Sequence, residues 1–230
     1  MRWKICLMLA GWVGLACDAA AADPEKTKTD PEKIVMFDGK SLDRWVIEGK
    51  ETGKGSGKQK PIWSVKDGVI ACTGRAYGWL RYDKEFADFL WHVEYRLLDK
   101  RSNSGLGIRT VPYKGKRGTR PSFASYEIQL LNDVGKTPTA KGTGSLYRYV
   151  APSANAIKPA PEWNTVEVRC QGPRIAITFN GTKVLETDQS LDDKLKKKPL
   201  CGYLAVQSHS GPVEFRNLWV QPLETSAGEQ

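Results

Sequence analysis

Residues 125–131 read Ser125-Tyr-Glu-Ile-Gln-Leu-Leu131, and this stretch decides the fold. Apolar and polar side chains alternate along it: Tyr126, Ile128 and Leu130 are apolar, and Ser125, Glu127 and Gln129 are polar. Successive side chains of a β-strand point to opposite faces of the sheet. We therefore expect a strand that buries one face in the core, while its other face presents a carboxylate and an amide.

The same alternation occurs in residues 89–98 and 203–209. In the first segment, large apolar residues alternate with Leu90, His92, Glu94, Arg96 and Leu98. In the second, Leu204 and Val206 alternate with Ala205, Gln207 and His209. We expect the three strands to share one sheet, whose apolar face packs on a second sheet and whose polar face forms a functional surface.

The rest of the chain is typical of an all-β protein. Roughly a dozen short strands are separated by turns such as Asp67-Gly68 and Asn180-Gly181, which favour hairpins. Helical turns are expected only at residues 83–87 and 191–198. The pattern predicts an antiparallel two-sheet β-sandwich formed by a single domain, residues 34–223. A charged leader, residues 23–33, precedes it, and a polar tail, residues 224–230, follows.

The N-terminus has the features of an export signal. A basic start is followed by an apolar stretch over residues 5–16 and by Ala20-Ala-Ala22, which suits cleavage after residue 22. The alternative is a lipoprotein with a lipid anchor at Cys17. No later segment is long and apolar enough to cross a bilayer. We therefore expect an exported protein, periplasmic or extracellular, with no transmembrane segment in its mature chain.

Three cysteines would remain after cleavage, Cys72, Cys170 and Cys201, all in apolar surroundings. An odd number permits at most one internal disulfide and leaves a free thiol. The surroundings favour buried, reduced cysteines.

The net charge of +9 comes from 35 Lys and Arg against 26 Asp and Glu, and many of the cations lie in two loops, residues 48–61 and 112–121. Such loops could bind an acidic polymer, although scattered loop cations more often serve solubility. The export signal argues against nucleic acid as a partner. The Gly- and Lys-rich run at residues 53–58 lacks the spacing and the strand–helix context of a phosphate-binding loop.

The polar rows of the predicted strands supply the candidate functional residues. They comprise two carboxylates, two arginines, two amides and both histidines: Glu94, Glu127, Arg96, Arg109, Gln129, Gln207, His92 and His209. Gly105 and Gly107, in phase with Arg109, would leave room above the sheet. The alternative is an ordinary solvated sheet face. Lys is absent from these rows, and the mixture of residue types with nearby Trp and Tyr favours a sugar site.

A series of short motifs, in its order and spacing, resembles the 3-keto-disaccharide hydrolase family, also described as 3-keto-glucoside 1,2-lyase and 3-keto-2-hydroxy-glucal hydratase domains. The motifs are Phe37-Asp-Gly-Lys-Ser-Leu42 with Trp45, Trp63-Ser-Val-Lys-Asp-Gly68, Asp88-Phe89, Glu94-Tyr-Arg96, Asn103-Ser-Gly105, Arg109, Tyr126-Glu-Ile-Gln129, Gly144-Ser-Leu-Tyr147, Glu162-Trp-Asn164, Asn180-Gly181, Gln207-Ser-His209 and Val213-Glu-Phe-Arg-Asn217. The resemblance extends over residues 34–223.

The resemblance implies a concanavalin A-like jelly-roll sandwich that acts on oxidised sugars, namely 3-keto di- or oligosaccharides or glycosides. In the implied reaction, a ketone at C3 acidifies the C2 proton and a base removes it. The C1–oxygen bond then breaks by β-elimination, and water adds to the enone, so the net result is hydrolysis. Such a site needs a base, a group that stabilises an oxyanion, and an acid for the leaving oxygen.

Under this interpretation, Glu127 is the base, His209 is the second acid–base group, and Arg109 is the clamp for the oxyanion. The residues expected to bind sugar are Glu94, Gln129, Gln207, Asn103, Tyr147 and Trp163. A divalent metal ion held by Glu127, His209 and Glu94 is a further candidate, because enolate chemistry often uses one.

Two other functions remain open at this point. A non-catalytic carbohydrate-binding module could use the same lectin-like fold, since a fold does not determine a function. An ordinary glycosidase would need two carboxylates about 5–9.5 Å apart, which Glu94 and Glu127 could supply from neighbouring strands.

Overall fold

The computed structural model describes residues 31–54 and 59–224. The expected signal peptide, Cys17, most of the leader and nearly all of the tail lie outside the described residues. The strands are, in chain order, β1 (Ile34–Val35), β2 (Trp45–Gly49), β3 (Thr52–Lys54), β4 (Gln59–Pro61), β5 (Trp63–Lys66), β6 (Val69–Cys72), β7 (Gly78–Phe86), β8 (Phe89–Leu97), β9 (Asn103–Thr110), β10 (Tyr126–Leu131), β11 (Asn164–Gln171), β12 (Arg174–Phe179), β13 (Thr182–Asp188), β14 (Gly202–Ser208) and β15 (Val213–Pro222).

Two antiparallel sheets enclose one core. The large sheet has the strand order β13-β12-β11-β8-β15-β6-β5, and β1 also pairs with β15. The small sheet has the order β10-β9-β14-β7-β2. Strands β3 and β4 pair with each other as a separate hairpin. The predicted all-β, concanavalin A-like sandwich is therefore confirmed.

The alternation of side chains explains how the core forms. Strand β8 buries Trp91, Val93 and Tyr95 and leaves the residues between them half-exposed. On the small sheet, Ile128 of β10 and Leu204 of β14 are fully buried in the same cluster. Each sheet thus gives one apolar face to a common core, whose removal from water is the main favourable contribution to folding.

The prediction that the three alternating segments share one sheet is wrong for residues 89–98. Strand β8 lies in the middle of the large sheet, between β11 and β15, whereas β10 and β14 belong to the small sheet. Alternation shows which side chains enter the core, but it does not show which sheet a strand joins, because both sheets bury one face. The polar side chains of β8 therefore lie on the opposite side of the molecule from those of β10 and β14.

Smaller features also differ from the prediction. Residues 83–86 extend β7 instead of forming a helical turn. The turn expected at residues 191–198 is short: the backbone N–H of Lys196 donates to the carbonyl oxygen of Asp192 at 2.8 Å, and a 3-10 turn, Gln189–Leu191, precedes it. A short helix, α1 (Pro121–Ala124), forms in the basic loop. Cys72 and Cys170 are buried and free as expected, but the free Cys201 is exposed. In the described part of the chain, helices are too short and too polar to span a membrane.

Candidate functional site

A pocket lies on the outer face of the small sheet, above β10, β9 and β14. Its open space, which includes solvent at the mouth, is about 400 Å³. Six of the nine predicted site residues line it: Asn103, Glu127, Gln129, Tyr147, Gln207 and His209. Five lining residues were not predicted: Tyr77, Arg120, Ser122, Phe123 and Arg148.

The floor of the pocket is low because the middle strand carries glycines. Gly105 and Gly107 of β9 lie opposite Gln129 and Glu127 of β10. A Cβ atom on Gly105 would lie 3.1 Å from Oε1 of Glu127, and one on Gly107 would lie 3.2 Å from the ring of the buried Trp79. A side chain at position 105 would therefore crowd the carboxylate of Glu127, and one at position 107 would crowd Thr110 and Trp79.

Glu127 is the acidic residue of the pocket, and only 5% of it is exposed. Its Oε1 accepts a hydrogen bond of 2.7 Å from Nε2 of Gln207. Burial raises the pKa of Glu127 above its usual value, while hydrogen bonds from Gln207 and Ser122 and the charges of Arg148 and Arg120 oppose this shift. A carboxylate with a raised pKa in a pocket is suited to accept a proton from a ligand.

Four buried polar atoms at the pocket have no hydrogen-bond partner within the described residues. They are Oδ1 of Asn103, Oε1 of Gln129, Oε1 of Gln207 and Nε of Arg120. Because Nε2 of Gln207 faces the carboxylate, its oxygen is the free end of the amide. Buried polar groups nearly always have partners. Three acceptors and one donor are therefore available to water or to a bound ligand.

His209 follows β14 and lies at the exposed rim of the pocket. The ring of Tyr77 packs edge-on against it, with the ring centroids 5.6 Å apart. Partial burial and the nearby charge of Arg120 lower the pKa of His209. Burial and the charge of Glu127 raise the pKa of Tyr77 to about 12. At neutral pH, Tyr77 therefore remains an uncharged phenol and the imidazole is mostly neutral.

The loop between β9 and β10 forms one wall of the pocket and is fastened at both ends. The backbone N–H of Tyr113 donates to Oε2 of Glu48 at 2.8 Å. At the other end, Nζ of Lys198 donates to the carbonyl oxygens of Phe123 and Ser125 at 3.0 and 2.6 Å. These contacts hold α1, and with it Ser122 and Phe123, beside the carboxylate.

Aromatic rings position the arginines of the pocket. The guanidinium of Arg120 lies 4.4 Å from the ring centroid of Tyr77, and that of Arg148 lies 4.4 Å from the ring of Phe123. Arg148 comes from the loop between β10 and β11 and has a φ of +79°, which is uncommon for a residue with a side chain. Both cations therefore face the pocket that contains Glu127.

Arg109 does not line the pocket, contrary to the prediction. It is fully buried, and its guanidinium donates to the carbonyl oxygen of Ala87 at 3.1 and 2.8 Å. It also donates to Asp88 and Gln189, each at 3.4 Å. All of its contacts tie the end of β9 to the β7–β8 turn and to the region after β13. Arg109 is a structural residue, and Arg120 supplies the cation at the pocket.

A β-bulge explains the misplaced arginine. Tyr203 pairs with Thr110 and Ala205 pairs with Gly107, so β9 contains one residue more than β14 between the two pairs. Arg109 lies in this bulge with a φ of +51°. A bulge breaks the alternation of side chains and re-aims the residue that it contains. The prediction that Arg109 lies on the same face of the sheet as Gly107 is therefore wrong.

Glu94 and Trp163 are also absent from the pocket, because they lie on the outer face of the large sheet. Glu94 pairs with Arg216 at 2.6 Å. The guanidinium groups of Arg96 and Arg216 lie 4.7 and 4.0 Å from the ring of Trp163. The whole core separates Glu94 from Glu127, so these two carboxylates do not form a glycosidase pair.

The same separation removes the predicted metal ligand set. Glu127 and His209 line one pocket, but Glu94 does not reach it. Within residues 31–54 and 59–224, no group of three or more His, Cys, Asp or Glu side chains is arranged to hold a metal ion.

The missed residues share one property, which is that they lie outside the regular part of the strands. Arg120, Ser122 and Phe123 belong to the basic loop and α1, Arg148 to the loop after β10, and Tyr77 precedes β7. Alternation assigns faces only along strands, so it gave no information about these positions. The single usable signal was the dense cluster of cations in residues 112–121.

Several solved structures share the fold. A Parabacteroides distasonis protein provisionally described as a glycosyl hydrolase has a TM-score of 0.67 and 21% identity, over 84% of this chain and 94% of that one. A Bacillus subtilis protein with a galectin-like fold has a TM-score of 0.55 and 14% identity, over 80% and 92%. The carbohydrate-binding module CBM66 of Bacillus subtilis has a TM-score of 0.51 and 11% identity, over 77% and 95%.

Sequence comparison identifies the family. No curated protein shows significant similarity to the chain. Residues 32–221, however, match the family described as the 3-keto-alpha-glucoside-1,2-lyase-like domain. This match covers most of the chain and confirms the resemblance that the motifs indicated. The chain therefore belongs to the family of 3-keto-alpha-glucoside-1,2-lyase-like domains.

Proposed function

We propose that the protein cleaves 3-keto-glycosides by removing the proton at C2, expelling the oxygen at C1 and adding water to the product. The family and the carbohydrate-related neighbours support a function on sugars. One observation carries the mechanism. The buried carboxylate of Glu127 lies beside a strand with two glycines, in a pocket that also contains two arginines and three unpaired amide oxygens.

The first step is proton removal. A ketone at C3 makes the C2 proton acidic, and Glu127 accepts that proton. The electron pair of the C2–H bond moves onto the oxygen at C3, which forms an enolate. The guanidinium of Arg120, whose Nε has no partner within the described residues, donates to this oxygen. A preorganised donor of this kind accelerates such reactions by roughly 10²–10³-fold.

The second step breaks the glycosidic bond. The enolate electrons form a C1–C2 double bond, the C1–oxygen bond breaks, and the leaving oxygen takes a proton from His209 in its protonated form. Water then adds to C1 and gives one proton to His209, while C2 recovers its proton from Glu127. The sum is one glycoside and one water converted to a 3-keto sugar and an alcohol, with both acid–base groups restored.

The remaining pocket residues bind and orient the sugar. The amide oxygens of Asn103, Gln129 and Gln207 accept hydrogen bonds from sugar hydroxyls, and the ring of Tyr147 offers an apolar surface. Amide acceptors on a rigid sheet suit a pyranose, because their positions are set by the strands and not by mobile loops.

The test is incubation of the purified protein with a 3-keto-glucoside that has a chromophoric aglycone. We expect release of the aglycone and a transient enone absorbance, and in D₂O the sugar product gains deuterium at C2. Glu127→Gln should lower kcat by about 10²–10⁴-fold, the usual contribution of a general base. Arg169→Gln, on the outer face of the large sheet, serves as the matched surface control.

Two results would contradict the proposal. One is full activity in Glu127→Gln. The other is binding of sugars without turnover of any keto-sugar, which would instead support a non-catalytic carbohydrate-binding module.

A further inference from the structure

The pocket carries more positive charge than its carboxylate can neutralise. Arg120 and Arg148 line it, and Arg117 packs against the same ring as Arg148. Across the described residues, no carboxylate lies within 4.0 Å of these three guanidinium groups, in contrast to six other arginines that form ion pairs: Arg44, Arg81, Arg96, Arg101, Arg109 and Arg216.

These arginines pack against aromatic rings, whereas most of the other arginines pair with carboxylates. The guanidinium of Arg148 lies 4.4 Å from the ring of Phe123 and 5.5 Å from that of Tyr147, and Arg117 lies 4.8 Å from Phe123. A guanidinium stacked on a ring has one face covered, while its N–H groups point outward in the plane and stay free. That arrangement suits two parallel hydrogen bonds to a carboxylate.

The proposed reaction does not use the surplus charge. Before proton transfer, the negative charge of the site lies on Glu127. After proton transfer, Glu127 is neutral and the enolate carries the charge. The total is one negative charge at these stages and none once the enolate has expelled the leaving oxygen, against the two positive charges of Arg120 and Arg148 that line the pocket. One guanidinium therefore has no anion to neutralise it at any point of the reaction of a neutral sugar.

We propose that the natural ligand is an acidic sugar, and that Arg148, with Arg117 at the rim, binds a carboxylate on it. This inference deepens the proposed function and rests on it for the identity of the reacting unit. Arg120 remains with the oxyanion at C3, and the second anion lies towards the exposed edge, where Arg117 and Arg148 are both solvent-accessible. The carboxylate can belong either to the oxidised unit or to the leaving unit.

Calorimetry with three disaccharides tests the inference without any turnover. The ligands are cellobiose, cellobionate, which has its carboxylate on the leaving unit, and glucuronosyl-glucose, which has it on the other unit. We expect one of the two acids to bind at least tenfold more tightly than cellobiose at low salt, with the preference shrinking as salt screens the charges. The tighter acid identifies the unit that carries the carboxylate.

Variants assign the preference to specific residues. Arg148→Gln and Arg117→Gln should each reduce the acid-to-neutral affinity ratio, by about tenfold for Arg148. Arg148→Lys should retain part of it, because lysine keeps the charge but not the planar fork. Arg169→Gln, which removes a cation from the large sheet, should leave the ratio unchanged. Equal affinity for the three disaccharides, or a preference that survives both glutamine variants, would overturn the inference.

Kinetics separate this inference from the proposed function. If the protein binds an acidic disaccharide more tightly than cellobiose but cleaves no keto-glycoside, the proposed function fails and the inference of an acidic ligand stands. If it cleaves neutral and acidic keto-glycosides with equal kcat/KM and binds the acids no more tightly, the acidic ligand fails and the proposed function stands.

Discussion

Oε1 of Glu127 on β10 accepts a 2.7 Å hydrogen bond from Nε2 of Gln207 on β14, although β9 lies between the two strands. Backbones two strands apart are roughly 9–10 Å from each other, so both side chains must lean over the middle strand. They can do so because that strand has glycines at positions 105 and 107. The hydrogen bond fixes the carboxylate and turns the oxygen of Gln207 towards the ligand.

The glycine floor can be tested with Gly105→Ala. The new Cβ would lie 3.1 Å from Oε1 and 3.2 Å from Cγ of Glu127, so the carboxylate must shift by a few tenths of an ångström. Because small errors in the position of a catalytic group slow a reaction strongly, we expect kcat/KM on a 3-keto-glucoside to fall roughly 10–100-fold. Thermal unfolding should change little.

Gly118→Ala is the matched control for this substitution. Gly118 lies in the loop between β9 and β10 that forms one wall of the pocket, and a Cβ there would have no atom within 4 Å. Activity should therefore equal that of the unmodified protein. If Gly105→Ala were as active as Gly118→Ala, the floor would not position Glu127.

A second prediction concerns the stability of the buried carboxylate. The pKa of Glu127 is raised in the folded protein above the ordinary value of 4.5 for a glutamate, so the folded state binds more protons than the unfolded state in the interval between the two pKa values. The stability of the protein therefore falls as the pH rises through that interval. Glu127→Gln removes this loss and should raise Tm at pH 7 by a few degrees, since 1 kcal/mol corresponds to about 2–4 °C at this size.

Low pH provides the control for this variant, because the higher Tm of Glu127→Gln relative to the unmodified protein should vanish there. Below pH 4.5 the carboxyl is protonated in both states, and calorimetric scans of the two proteins should coincide. A Tm difference that is independent of pH would show that packing, and not charge, separates the variants.

How much the sequence revealed depended on the backbone around each residue. Glu127, Gln129 and Gln207 lie on regular strands, so a period of two placed them on one face correctly. Arg109 follows the same period in the sequence, but the bulge in β9 redirects it. Glu94 alternates equally well, but its strand joins the other sheet. Alternation contains no information about bulges or about sheet membership, which depend on pairings distant in sequence.

A pair of variants tests whether Arg120, and not Arg109 as the sequence predicted, supplies the cation of the pocket. Arg109→Met would leave Asp88, of whose side chain only 6% is exposed, without its buried ionic partner. Such losses destabilise a protein by about 3–5 kcal/mol. Arg120→Met removes a half-buried cation without an ion pair. It should lower the free energy of unfolding by about 1 kcal/mol, the value of its contact with the Tyr77 ring, while kcat falls by roughly 10²–10³-fold.

Urea unfolding and initial rates, measured on both variants, distinguish the two roles. The remaining folded fraction of Arg109→Met should keep the normal KM, since Arg109 contacts no pocket residue that binds sugar. The opposite pattern, with a stable but inactive Arg109→Met, would restore Arg109 to the site.

Glu94 supplies a prediction of no effect on catalysis. Its side chain pairs with Arg216 and accepts a 2.9 Å hydrogen bond from Nδ2 of Asn217, both on the large sheet. Arg216 is substantially exposed, and ion pairs of this kind contribute less than about 1 kcal/mol. Glu94→Gln should therefore keep the kcat/KM of the unmodified protein and lose little stability. Any substantial loss of activity would place Glu94 in the chemistry after all.

The pH dependence of kcat/KM tests the pairing of Glu127 with His209. The reaction needs Glu127 ionised, so activity rises with pH through a pKa above 4.5, and it needs His209 protonated, so activity falls through a pKa below 6.5. The profile should be bell-shaped with its maximum between these values, because burial moves both pKa values towards each other. His209→Gln should remove the alkaline limb and lower the maximum by about 10²-fold, the smaller end of general-acid effects. An alkaline limb that persists in His209→Gln would assign the acid to another group, and activity that stays constant up to pH 8 in the unmodified protein would exclude His209 from that role.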